Sequence, residues 1–386
     1  MEGAGSSAGR GHRSGVHGSC RAPRMTKPGW KSLGYAAAAL TAALAGRSML
    51  RRSRRTRLAG KKVLIVGGSR GLGFAAARRF LREGADVAIC ARYEAELARA
   101  AAELRGLAES IEDASGGHPR VVTLRADVTQ AHAANALIES AIRQLGCVDV
   151  LVNCAVDITI GPLEALTAED YEQAFRGIFF AVYHPTMAVL PHMKARSFGR
   201  IVNVTSVAGK APIPHNGTYV TGKFATTGFS AVCAAELRKY GIRVSTVLPP
   251  PLRNGAWLNA SYKGLADQEL CWFARALQSP LTSADPERAA RAIVEAARWG
   301  DVERMVTPTS FLQARLHALW PSLSVALAAF LDARWMPASP PGASALPAFS
   351  GEELVMASNH PTLRRISRAA RSDAERYLQP IAAKLS

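Results

Sequence analysis

"KVLIVGGSRGLGF", residues 62–74, places three signals in one short stretch. Val63 to Val66 is an unbroken apolar run, which is how a strand buried on both faces reads. Gly67, Gly71 and Gly73 follow with G-x-x-x-G-x-G spacing. Glycine is needed where the chain turns with positive φ and where backbone must lie against a ligand. An amphipathic helix is expected over about 71–83. Its first turn offers free N–H groups and a partial positive charge. Glycines alone carry little; a strand before them and a helix after them make a phosphate-binding turn.

The strand signal recurs downstream. "DVAICA" (86–91), "VVTLRA" (121–126), "VDVLVN" (148–153), "RIVNVTS" (200–206) and "IRVSTVLP" (242–249) are short and apolar, with helical segments between them. Alternating helices and throughout-apolar strands define an α/β protein with a doubly wound parallel sheet. Such a sheet keeps its ligands beyond the carboxyl ends of its strands.

Charge argues against a nucleic-acid partner. The net charge is +18, but residues 1–62 hold fourteen Lys and Arg against Glu2, leaving only +5 on residues 63–386. A body so weakly basic has no electrostatic footprint for nucleic acid. The six cysteines form no C-x-x-C pair and show no metal-site spacing with histidine, so reduced thiols and no metal are expected.

The ends are less regular. Residues 1–31, rich in Gly, Ser, Arg and Pro, are expected to be disordered, and Met25 offers an alternative start. "SLGYAAAALTAALAG" (32–46) is uncharged and is followed by "RRSRRTR" (51–57). Residues 32–57 therefore read as a membrane anchor with a polybasic flank, as a signal peptide, or as an Ala-rich packed helix. The anchor reading puts the body in the cytoplasm, held at the cytoplasmic face of a membrane. Residues 311–336 form a helical extension interrupted by Pro321; it can pack on the domain or lie on a membrane or partner. Residues 337–386 read as a linker and a basic tail.

The second strand ends in "ARYEAEL" (91–97), with Arg92 and no acid at its tip, and Arg70 sits in the glycine turn. Two guanidinium groups near the adenosine ribose suit a 2′-phosphate, so NADP(H) is expected over NAD. "YVTGK" sets Tyr219 and Lys223 four residues apart, one above the other on a helix expected to start near Thr218. Ser206 closes the preceding strand at the carboxyl edge of the sheet. A nearby ammonium group is expected to lower the tyrosine pKa from about 10, making it an acid/base partner for hydride transfer.

In ordered combination, "GGSRGLG" (67–73), "ADV" (126–128), "LVNCA" (151–155), "IVNVTS" (201–206), "YVTGK" (219–223) and "VLPPPLRN" (247–254) resemble the classical short-chain dehydrogenase/reductase family. The resemblance spans residues 58–310 and implies a Rossmann fold binding NADP(H). It implies Ser206 as substrate-oxygen binder, Tyr219 as general acid/base, and Lys223 as pKa tuner and ribose binder. It implies cofactor contacts from Gly67, Ser69, Arg70, Gly71, Leu72 and Gly73 in the turn. Arg92, Asp127, Val128, Asn153 and Pro249 follow along the cofactor's length.

The chain departs from the family pattern at five places. Val66 stands for Thr, Val156 for Gly, Ile178 for the helix Asn that holds a relay water, Pro250 for Gly, and Asn254 for Thr. These changes are expected to weaken the proton relay and alter the cofactor floor while leaving the triad intact. On the substrate side, Trp257, Leu258, Tyr262, Trp272 and Phe273 suggest either an apolar pocket or a packed lid, with Arg253 and Lys263 as single charges. The resemblance also implies a homo-oligomer through helices at about 171–192 and 221–239. The expected activity is interconversion of a lipophilic carbonyl and alcohol. The alternatives are a Rossmann pseudoenzyme that senses NADP(H), and an interaction protein working through its basic N-terminus.

Overall fold

The computed structural model describes residues 51–112, 117–280, 282–357 and 370–379, with isolated positions between 35 and 49. Those positions (Tyr35, Ala38, Thr41, Ala42, Gly46 and Met49) are helical. The expectations for residues 1–31, and for most of 32–50, lie outside the described residues. Residues 1–50 and 51–386 form separate units, and the second carries the fold.

The chain alternates as its apolar pattern dictates: β1 (Lys62–Val66), α1 (Gly71–Arg82), β2 (Asp86–Ala91), α2 (Glu94–Glu109), β3 (Val121–Arg125), α3 (Ala131–Leu145), β4 (Val150–Asn153). After a short β5 (Thr159–Ile160) come α4 (Ala168–Ala174), a π-helical turn (Phe175–Phe180), α5 (Ala181–Ala195) and β6 (Gly199–Val204). Then follow α6 (Gly217–Glu236), β7 (Ile242–Leu248), β8 (Ser261–Tyr262), α7 (Ala266–Gln278), α8 (Pro286–Trp299) and β9 (Glu303–Met305). The chain continues through α9 (Pro308–Leu319), α10 (Pro321–Trp335), β10 (Phe349–Ser350) and α11 (Gly351–Ala357).

Seven strands form one sheet in the order β3-β2-β1-β4-β6-β7-β9, every pair parallel. This is the doubly wound fold, with its switch of direction between β1 and β4. Val63 and Ile65 face one helical layer and Leu64 and Val66 the other, so one strand feeds both cores. The six expected strands stand within two residues of their anticipated ends. The edge strand β9 carries Glu303 and Arg304 and has no apolar run to announce it. The three-stranded sheet β10-β8-β5 lies over the carboxyl end and is likewise illegible, because its strands are two residues long.

Two terminal regions differ from expectation. The polybasic run is partly tied down: Arg51 pairs with Asp301 at 2.9 Å and stacks over Trp299 at 4.7 Å. The tail beyond 337 is not a free appendage where it is described. Leu354 and Val355 of α11, with Ala370 and Ala374, join the core under the substrate-side segment. Tyr377 and Leu378 join the core beneath β1 and α1.

Helices α9 and α10 pack in the reverse of the usual sense. They meet at a 120° bend at Trp320–Pro321. Small residues (Ser310, Ala314 and Ser324) are buried, whereas Phe311, Leu319, Trp320, Leu323, Phe330 and Trp335 are 50–65% exposed. Among the described residues no single helix is long and apolar enough to cross a membrane, but this bent pair together has the length and composition of a broken span.

Candidate active site

Beyond the carboxyl ends of β1, β2, β4, β6 and β7 lies a cavity of about 650 Å³. The glycine turn floors one end. Gly67 has φ +78°, and a methyl group there would meet the backbone of Cys154 and Ala155 at 2.8–3.0 Å. A methyl on Gly73 would collide with the Gly67 carbonyl. Both positions are closed to any side chain, so the turn lies flush against β4 and opens the first turn of α1 to the cavity. Gly71 N is held by the Tyr377 carbonyl at 2.7 Å, but the N–H groups of Leu72 and Gly73, the strand-end location and the cavity size suit a dinucleotide.

Ser69, Arg70, Gly71, Leu72 and Gly73 line the cavity, as do Arg92, Asp127, Val128 and Pro249. Asn153 does not. It is fully buried and hydrogen-bonds Thr186 (3.0 Å) and Asn203 (2.8 Å), holding β4 to its neighbours. Its side chain points into the core, while Cys154 and Ala155, just beyond the end of β4, line the cavity.

The β2 end of the cavity holds a residue that the sequence pattern does not announce. Glu96, in the first turn of α2, accepts from Ser69 Oγ (3.0 Å) and from Arg70 Nη1 (3.4 Å). The tip of β2 carries no acid, but the next helix returns one to the same spot. Arg70 is therefore not the free guanidinium expected, whereas Arg92 is exposed beside it and stacks near Tyr93.

At the other end Ser206, Tyr219 and Lys223 converge on the cavity wall. Ser206 lies two residues beyond β6 and caps a short 3₁₀ turn, its Oγ accepting from Ala208 N at 3.2 Å and donating to the Pro249 carbonyl at 3.4 Å. Tyr219 lines the same wall beside Ser206. Lys223, one turn along α6, is buried and donates from Nζ to the Val204 carbonyl at 3.1 Å; the same Nζ is 5.5 Å from the Tyr219 ring centre.

The expected lowering of the tyrosine pKa is not met. Burial pushes the Tyr219 hydroxyl up to about 12, against a smaller opposing influence of Ser206. Burial also brings the Lys223 ammonium down to about 8. In this geometry Tyr219 is a protonated donor at neutral pH, because desolvation dominates its surroundings.

Ile178 falls in the π-helical turn, fully buried against Gly222, where an added methyl would come within 3.1 Å of it. It presents hydrocarbon to α6 at Gly222, next to Lys223 in the chain, and lies apart from the cavity lining. Val156 and Pro250 line the cavity without closing it, and Asn254 lines it near Gly71. Of the expected aromatic pocket, Trp272 and Phe273 line the cavity, while Trp257, Leu258 and Tyr262 are core residues. Lys263 is paired to Asp170 at 2.6 Å and Arg253 is held by Ser283, so neither charge faces a substrate.

A buried polar knot braces this side. His215, with φ +58°, sits between Glu269 (Nδ1 to Oε1, 2.7 Å) and Asp332 of α10 (Nε2 to Oδ1, 3.0 Å). Trp272 Nε1 donates to the other oxygen of Glu269 at 2.6 Å. Burial works to lower the His215 pKa, but the two carboxylates prevail and raise it. The knot couples the exposed helix pair to the loop that enters α6.

Residues 61–261 match the family model described as short chain dehydrogenase. The chain belongs to the short-chain dehydrogenase/reductase family of oxidoreductases. It is similar to a "Dehydrogenase/reductase SDR family protein 7-like" of Anopheles gambiae, 34% identical over 55% of this chain and 66% of that one. It is also similar to the 3-ketodihydrosphingosine reductase of Mus musculus, 29% identical over 67% of this chain and 75% of that one. Among solved structures, a short chain dehydrogenase from Mycobacterium smegmatis matches with a TM-score of 0.53 and 26% identity, over 65% of this chain and 93% of that one.

Proposed function

We propose that the protein is an NADP(H)-dependent carbonyl reductase acting on a lipophilic ketone or aldehyde at a membrane surface. The observation that carries this reading is the meeting of Ser206, Tyr219 and Lys223 on the same cavity as the glycine turn. A bound nicotinamide cofactor supplies the hydride. The chain's own residues manage the oxygen. Ser206 and Tyr219 hold the carbonyl oxygen by hydrogen bonds, Tyr219 gives it a proton, and the Lys223 cation steadies the phenolate left behind. A tyrosine that stays protonated suits the reductive direction.

Arg92, with the share of Arg70 not taken by Glu96, favours a 2′-phosphate. Trp272, Phe273, Ile158, Ile213 and Leu277 make the substrate end apolar. The outward-facing side chains of α9 and α10 suit a lipid surface, since large exposed apolar patches mark interaction sites. With a 3-ketodihydrosphingosine reductase among the relatives, 3-ketodihydrosphingosine is the first substrate to try. The exposed Met187, Phe224 and Val232 on α5 and α6 suit a homo-oligomer. A second reading, dinucleotide binding without turnover, draws on Ile178 in place of a polar relay.

The test is NADPH consumption on ketones of increasing chain length, with and without anionic vesicles. Rates should rise with chain length, and the protein should sediment with vesicles unless Leu323 and Phe330 are both changed to Asp. Preference for short polar ketones, or no vesicle binding, would refute the lipid reading. Tight NADPH binding with no turnover on any ketone would favour the second.

A further inference from the structure

The cofactor end of the cavity contains a piece of chain that the family resemblance does not reach. Residues 370–376 are helical, and the chain then crosses the phosphate-binding turn through Tyr377, Leu378 and Gln379. The crossing is firmly held. The Tyr377 carbonyl accepts from Gly71 N at 2.7 Å, and its hydroxyl donates to Asp285 at 3.2 Å. Arg99 donates to the Leu378 carbonyl at 3.0 Å. Leu378 adopts φ +54°, a left-handed conformation that is strained for a leucine and persists where surrounding contacts enforce it. Ala374 packs so closely on Gly255 that a methyl there would come within 2.6 Å of it.

This crossing delivers Gln379 to the cavity wall, only 6% exposed. Its Oε1 is engaged by Asn259 Nδ2 at 3.1 Å, which turns its NH₂ end toward the glycine turn. Asn254, also 6% exposed, is arranged in the same way, its Oδ1 engaged by Ala256 N at 3.0 Å. The two NH₂ groups meet over Gly71: a methyl on that residue would lie 2.8 Å from Gln379 Nε2 and 3.4 Å from Asn254 Nδ2. Neither NH₂ group is hydrogen-bonded to another described residue. Two buried amides thus have their acceptors satisfied and their donors aimed at one helix N-terminus, where the Tyr377 carbonyl takes Gly71 N and the N–H groups of Leu72 and Gly73 are left for an anion.

We propose that Gln379 is a cofactor-binding residue. Together with Asn254 it donates to the pyrophosphate of the dinucleotide, and residues 370–379 are a strap that completes the phosphate site. The inference rests on the proposed dinucleotide function of the cavity. A carboxamide contact to a charged oxygen is worth about tenfold in affinity.

The test measures binding of NADPH, ADP and adenosine to the full-length protein and to Gln379→Ala, Gln379→Glu and Gln379→Lys. Gln379→Ala should weaken NADPH and ADP about tenfold and leave adenosine, which has no phosphate, unchanged. Gln379→Glu should weaken NADPH and ADP further, while Gln379→Lys should restore or tighten both. A common loss in all three variants would instead mark Gln379 as a packing residue and overturn the proposal. Unchanged ADP affinity in Ala and Glu variants would also overturn it, as would tighter ADP binding by Gln379→Ala, the mark of a strap that blocks the site. Wild-type protein that binds neither NADPH nor ADP would sink the dinucleotide reading itself.

Discussion

The two ends of the cavity are built in opposite ways. The proposed catalytic end comes from one continuous stretch, with Ser206, Tyr219 and Lys223 all inside residues 206–223 and placed by a strand end and a helix turn. The phosphate end is assembled from pieces far apart in the chain: the turn at 67–73, Glu96, Asn254 and Gln379. Chemistry that depends on fixed local spacing can be encoded locally. Recognition of an extended ligand needs groups along its whole length, and these can only be brought together by the fold.

If the catalytic end is self-contained, damage there should spare binding. Tyr219→Phe should cut turnover by about 10² to 10⁴ with NADPH affinity little changed, in steady-state kinetics beside a binding titration. A parallel loss of affinity would show that the two ends are not separable.

The pH profile is the next largest effect. Burial sets Lys223 at about 8, below its usual 10.5. The ammonium is present below that pH and is lost above it, so kcat for reduction should fall about tenfold per unit once pH exceeds it. Stability should move the other way. Between pH 8 and 10.5 the unfolded chain binds the proton that the folded chain has lost, so this group adds stability as pH rises through the window. Melting curves and kcat measured across that range should therefore diverge.

Ile178→Asn asks whether the relay is the catalytic end's weak point. A polar group beside Gly222, the chain neighbour of Lys223, should raise kcat up to about tenfold at unchanged NADPH affinity. No gain would mean that the buried isoleucine costs the reaction nothing. The smallest effect belongs to the phosphate end. Glu96→Gln frees Arg70 and should improve discrimination of NADP over NAD by about threefold to tenfold in competition binding.

What is legible in the sequence follows the same division. Six parallel strands are legible because each is an apolar run buried on both faces, and the catalytic set because its spacing is that of one helix turn. Glu96 is hidden because it lies on the helix after the second strand, not at the strand tip where a ribose-binding acid is expected. Asn153 belongs to a motif that borders the cavity, but its side chain points into the core. Gln379 carries no signal at all: it lies in a polar tail, and only the packing of Tyr377 and Ala374 brings it across the turn. The direction of the tyrosine pKa is not legible either, because spacing reports a neighbouring cation and says nothing of desolvation.

The most direct test of a working Ser206–Tyr219–Lys223 site follows the hydride itself. NADPH deuterated at the transferable position would be incubated with the protein and 3-ketodihydrosphingosine or a long-chain ketone, and the alcohol examined by mass spectrometry. A working site predicts one deuterium in the alcohol from wild-type protein and almost none from Tyr219→Phe. Label that stays in tightly bound NADPH across every carbonyl tried would contradict it.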